Sequence, residues 1–417
     1  MVPEPGLTPG GGSEPVSNRP VPHVHTTVPP VGSPLPPPPP ASWEETTAGT
    51  PGWPGADPWP VPGAYPPPPP PPAVQPWTSA PFPGSGGGFG SSFAPPPPPG
   101  YLPGQSHAGI AASRSALPVE PREYHQFYRA PRFRWWKPLA AIGAFVAAWF
   151  VAAIPLVMIA LGWDLSHNGG KLDPTAIDLN TPAMFLGNNV SIAVAIPAAV
   201  LVGWMVYRQR PRWLSSIEGG FRWRIFWPFL GIAFLGMAVV WAVEAALDGG
   251  VGNLTITPTT WVLLVGIVIT TPFQAAGEEY AMRGLVFRSI ASWFPNRWVG
   301  LVVGLAVNAV AFMFLHGAGD IWLNVYYFFV GAVFSILVWR TGGLEAAIAM
   351  HIANNLISEM LLPFQPDAFS HLFDRQSGSA GPEILIQLGV TALVAAVLLW
   401  QSSRLKVPRA TAPAAAE

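Results

Sequence analysis

The stretch "WVLLVGIVITTPFQAAGEEYAMRG", residues 261–284, is almost unbrokenly apolar until two adjacent carboxylates and an arginine appear at its end. An apolar run of this length reads as a membrane helix, because only closed helices or barrels satisfy every backbone polar group in lipid. A charge at the centre of such a helix costs roughly 2.5 to 3.5 kcal/mol on insertion scales. Glu278, Glu279 and Arg283 therefore need partners or water. Glu279 and Arg283 stand at i and i+4, the spacing at which helix side chains meet. Glu278 projects about 100° away around the helix and has no local partner.

Outward from this stretch the chain divides by composition. Of 417 residues, half are hydrophobic and a tenth charged, and the net charge of −1 gives no argument for a nucleic-acid partner. The absence of cysteine excludes disulfides, thiolate nucleophiles and Cys-ligated zinc. Residues 1–130 carry proline runs at 36–40, 66–72 and 95–99 with a Gly/Ser tract between the last two. They are expected to form a disordered cytoplasmic tail open to a cytoplasmic partner. Residues 131–403 are expected to form an all-α, polytopic membrane helix bundle, with a short cytoplasmic tail at 404–417. Eight spans fit the length rule: 138–162, 183–207, 225–247, 259–277, 298–316, 321–340, 342–362 and 383–401. Arginines and lysines cluster before the first span and after the second, fourth, sixth and eighth, while the alternate loops are poor in base. That alternation places both termini in the cytoplasm of a multi-pass protein of the cell membrane.

Polar residues interrupt the apolar spans at few other points. His316 ends "NAVAFMFLH", and His351 and Asn355 share one face of the seventh span in "AIAMHIANNL". If "PNR" (295–297) turns a hairpin, Glu278 and His316 both lie about 26 Å along their helices from it. One carboxylate, two imidazoles and an amide can thus surround one cavity. Glu278, His316 and His351 could hold Zn²⁺ or another divalent metal, or act without metal, with Glu278 and His316 activating water. The residues leave both open. Asn355 could donate to a developing oxyanion. Elsewhere, Glu345 and Glu359 read as interfacial, Asn188 and Asn189 as interhelical or lining an access path, and Pro197 and Pro272 as kinks.

Three motifs now stand in order: "EEYAMR" (278–283) as E-E-x-x-x-R, "FMFLH" (312–316) as F-x-x-x-H and "HIANN" (351–355) as H-x-x-x-N. Over about residues 258–362 the chain resembles the CPBP family, which comprises CAAX prenyl endopeptidases and bacteriocin-processing enzymes and is also called the Abi family of intramembrane proteases. The resemblance implies an intramembrane endopeptidase acting on a membrane-associated peptide or protein. Glu278 and His316 would activate water, His351 and Asn355 would complete the site, and Glu279 and Arg283 would support it. The family is described both as metalloproteases and as metal-independent glutamate peptidases. Buried carboxylates and histidines also suit an ion-coupled transporter, and the proline-rich tail suits a catalytically idle scaffold.

Overall fold

The computed structural model describes residues 115–167, 181–247, 250–366 and 375–411. Among them all regular structure is helical, apart from isolated β-bridges at Glu123–Ala410 and Ser216–Gly343. The eight principal helices are α1 (Lys137–His167), α2 (Pro182–Tyr207), α3 (Trp223–Leu247), α4 (Pro258–Ala291), α5 (Arg297–Leu315), α6 (Ile321–Thr341), α7 (Glu345–Glu359) and α8 (Ile384–Arg404). All but α7 are long and apolar enough to cross a membrane, so the expected count of eight holds only approximately. The chain is a multi-pass membrane protein.

The exception is informative. At 15 residues α7 is about 22 Å long, shorter than the roughly 30 Å hydrocarbon layer. Its residues from Glu345 to Ala353 are all buried, and α3 and α4 pack against it. A helix whose first nine residues are enclosed by protein is not bound by the span-length rule, because its neighbours take the place of lipid there. Glu345, expected at the interface, is also fully buried. Arg222 grips it in two places, Nε to Oε1 at 3.0 Å and Nη2 to Oε2 at 2.7 Å.

The two prolines act differently. Pro197 lacks the N–H that would bond to Ala193, and its ring crowds that carbonyl. The helical run is broken at Val194. By contrast α4 stays helical through Pro272, and its irregularity comes later, as a π-helical segment at Tyr280–Phe287 just after the paired carboxylates. π-Segments inside α-helices are frequent at functional sites. The break in α2 faces Gly277, where an added Cβ would collide with the carbonyl oxygen of Ile192. Backbone rather than a yielding side chain stands in the way. Gly277→Ala is therefore expected to lower the thermal unfolding midpoint by several degrees, the scale of an overpacking loss of about 1 to 3 kcal/mol. Differential scanning fluorimetry in detergent would check this.

Most of the expected tail, residues 1–114, lies outside the described residues. Residues 115–130, assigned by composition to the same tail, belong instead to the helical unit. Tyr124, Phe127 and Tyr128 are buried there. They surround Arg288, whose guanidinium lies 4.6, 5.2 and 4.1 Å from their ring centres. Arg288, one of the basic residues that follow the fourth expected span, is fully buried and donates to Trp213 O and Gln209 Oε1. Aromatic faces and these acceptors replace the water that the cation gives up. The 34-residue α4 is about 51 Å long, and this enclosure holds the end that outruns a bilayer.

Candidate active site

The site lies on the seam between α4 and α7, which meet as antiparallel rungs. Thr271 Oγ1 donates to Glu359 Oε2 at 2.6 Å. One turn further along α4, Gln274 meets Asn355 at 3.0 Å. One more turn brings Glu278 and Glu279 to His351. Each step of three or four residues up α4 is matched by four residues down α7, so polar residues at i+4 spacing share a face. Asn189 of α2 extends the seam by donating to Thr270 and Thr271, as an interhelical role requires.

Glu279 is the fixed point. Its side chain and that of Arg283 are 0% exposed, and Arg283 Nη1 donates to Glu279 Oε1 at 2.9 Å. The guanidinium also lies 4.4 Å from the Phe312 ring centre and 5.4 Å from that of Phe334. The same Glu279 Oε1 stands 2.8 Å from His351 Nδ1. A carboxylate without a proton only accepts, so Nδ1 carries the hydrogen and Nε2 is left for other work. That nitrogen faces Glu278 Oε2 at 3.8 Å. Glu278 keeps 18% exposure of its side chain, its Oε1 accepts from Gln274, and its Oε2 has no hydrogen-bond partner.

His316 closes α5 as its C-terminal cap. Its Nδ1 donates to Phe312 O at 2.7 Å, which again leaves Nε2 free of the backbone. Its ring stacks on Tyr327 at 3.8 Å, and Arg375 donates to its carbonyl at 2.7 Å. Phe312 packs against both imidazoles, 4.6 Å from His316 and 6.3 Å from His351, centre to centre. Thus Glu278, Glu279, Arg283, His351 and Asn355 join one polar network, and His316 neighbours it through Phe312. The contact partner of Glu278 is His351. Among the described residues no ion pair joins Glu278 to His316.

Gln274, Tyr327 and Phe334 carry no motif, yet each touches a motif residue. Only Gln274 leaves a trace in the sequence, as a polar residue four positions before Glu278 in an otherwise apolar run. The contacts of Tyr327 and Phe334 arise from helix packing that spacing does not encode.

Metal binding can be tested against this geometry. Among the described residues no three His, Asp or Glu side chains converge closely enough to hold an ion. His351 Nε2 and Glu278 Oε2 remain available, but together with His316 they are not brought to one point. The donor set of Glu278, His316 and His351 does not fit a metal in this arrangement.

Comparison with known proteins finds a family match over the same part of the chain. The match to the Rce1-like family, described as type II CAAX prenyl endopeptidase Rce1-like, covers residues 258–357, from the start of α4 nearly to the end of α7. Over these residues the chain is similar to that family. The Rce1-like segment contains all three motifs. A curated relative, the uncharacterized protein YyaK of Bacillus subtilis (strain 168), is 24% identical over 149 residues. The aligned part is 34% of this chain and 50% of YyaK, so the chain spans about half the length of that relative. No solved structure matches.

Proposed function

We propose that the protein is an intramembrane endopeptidase of the glutamate type. The observation that carries this reading is the pair of facing atoms, Glu278 Oε2 and His351 Nε2, 3.8 Å apart. That gap is too long for a direct hydrogen bond, yet one water can bond to both at about 2.8 Å. Glu278 takes a proton from that water as its oxygen attacks the carbonyl carbon of a peptide bond. A C–O bond forms, and the carbonyl electron pair moves to oxygen. His351, oriented by Glu279, lies beside the developing charge, and His316 borders the same space. When the tetrahedral intermediate collapses, the C–N bond breaks and the proton held by Glu278 passes to the leaving nitrogen. The products are a carboxylate and an amine, with Glu278 regenerated.

The family supplies the substrate class within this proposal: a membrane-associated peptide or protein, with prenylated carboxy-terminal segments as first candidates. Orientation belongs to the proposal too. The arginine-rich segments meet at one face: Arg409 pairs with Glu123, Arg288 lies against Tyr124, and Arg222 binds Glu345. Basic loops gathered on one side support a cytoplasmic location for both termini and for the proline-rich tail, within reach of a partner that reads polyproline.

The test is to incubate the full chain in proteoliposomes with a farnesylated peptide ending in a CAAX sequence, and to identify products by mass spectrometry. In parallel, membrane peptides accumulating in a Glu278→Ala strain would be compared with those in wild-type cells. A released carboxy-terminal peptide, or peptides that accumulate in the variant, supports the reading; the absence of both overturns it. Chelation with EDTA or phenanthroline is expected to leave the rate within about twofold, because the donors do not assemble a Lewis-acid site. A loss restored by added Zn²⁺ would reject the glutamate-type mechanism.

A further inference from the structure

Four hydrogen bonds form a single directed chain across three helices. The Tyr326 hydroxyl donates to Asn354 Oδ1 at 3.2 Å, and Asn354 Nδ2 donates to Asn355 Oδ1 at 3.1 Å. Asn355 Nδ2 then donates to Gln274 Oε1 at 3.0 Å, and Gln274 Nε2 donates to Glu278 Oε1 at 2.5 Å. Every donor points toward the carboxylate. Each amide has one donating and one accepting end, so reversing any of them would set N–H against N–H and oxygen against oxygen. The direction is fixed by a carboxylate at one end, which only accepts, and by a hydroxyl able to donate at the other. Such chains polarise from link to link, so the last bond gains from those before it.

We infer that Gln274 is a positioning residue that fixes Oε1 of Glu278 and thereby turns Oε2 toward His351 Nε2, and that Asn355 acts through Gln274. This rests on the endopeptidase reading, in which Oε2 of Glu278 takes the proton from water. It gives Asn355 a task other than oxyanion donation: one of its two amide hydrogens is spent on Gln274.

The experiment measures peptide hydrolysis by the full chain in proteoliposomes, with kcat and KM separated, for Gln274→Leu, Gln274→Glu, Asn355→Leu and the double leucine variant. Gln274→Leu is expected to lower kcat by about 10² while KM changes little, since the base and not the binding surface is disturbed. In Gln274→Glu the introduced carboxyl can donate to Glu278 only when protonated, so its deficit shrinks as pH falls. A merely structural bridge would not produce that profile. If Asn355 works through Gln274, adding Asn355→Leu to Gln274→Leu costs little more; if it touches the substrate, the two losses multiply. Multiplied losses, or an unchanged kcat in Gln274→Leu, overturn the inference.

A second readout does not depend on cleavage. Carbodiimides attack a carboxyl oxygen, and Gln274 occupies Oε1 of Glu278. Labelling of Glu278, followed by mass spectrometry, is expected to rise severalfold in Gln274→Leu over the wild type. Equal labelling rates overturn the positioning role. If the wild-type chain cleaves no peptide while labelling still responds to Gln274, the endopeptidase reading falls and the link between Gln274 and Glu278 stands.

Discussion

Replacement of Glu278 by glutamine is expected to slow peptide hydrolysis by about 10³, the middle of the range for loss of a positioned general base. That corresponds to roughly 4 kcal/mol of transition-state stabilisation. The substitution nearly preserves shape, and its amide oxygen can still accept from Gln274, so the fold should be undisturbed. What disappears is the capacity to take a proton from water, the role proposed for Glu278. The check is hydrolysis in proteoliposomes alongside elution volume and thermal midpoint in detergent. Normal folding with a rate within tenfold of wild type would mean that some other group activates the water.

Arg283→Met should have the largest effect on stability. It leaves the Glu279 carboxylate fully buried without its cation, and breaking a buried pair from one side costs about 3 to 5 kcal/mol. The pair is already incompletely satisfied, since Glu279 Oε2 and Arg283 Nε have no hydrogen-bond partner. The thermal midpoint of Arg283→Met should therefore fall by roughly 10 °C or more. Combining it with Glu279→Gln removes the stranded charge and should restore part of that loss. Activity should not return, because His351 then faces an amide and its Nδ1–H is no longer held by a charged acceptor. Calorimetry of the wild type, both single variants and the double variant completes the cycle. If Arg283→Met melted with the wild type, the core position of this pair would be refuted.

The fold was legible in the sequence wherever a helix faces lipid. The boundaries of α1, α2, α5, α6 and α8 follow apolar length, and the caps at Asn296 and Asp320 stand where α5 and α6 begin. Legibility failed where protein takes the place of lipid. Glu345 resembles an interfacial residue because span rules cannot foresee Arg222, 123 residues earlier in the chain. Arg288 resembles a loop cation because Tyr124, Phe127 and Tyr128 lie in a region whose proline content conceals their apolar surface. In the site, the Glu279–Arg283 pair was readable from i+4 spacing within one helix. The approach of His351 to Glu279 rested on three motifs being drawn together, which no single periodicity encodes. The packing of Phe312 against both His316 and His351 was beyond sequence, since it joins residues of two helices.

The shortness of α7 has a consequence for the life of the nascent chain. A rod this brief, with an acid at each end, has no stable resting place in lipid by itself, so it must wait for neighbours to form its walls. His351 and Asn355 travel on that rod. Scissile power would then arrive only with the finished assembly, and a half-made copy in the translocation channel would be harmless to the membrane around it.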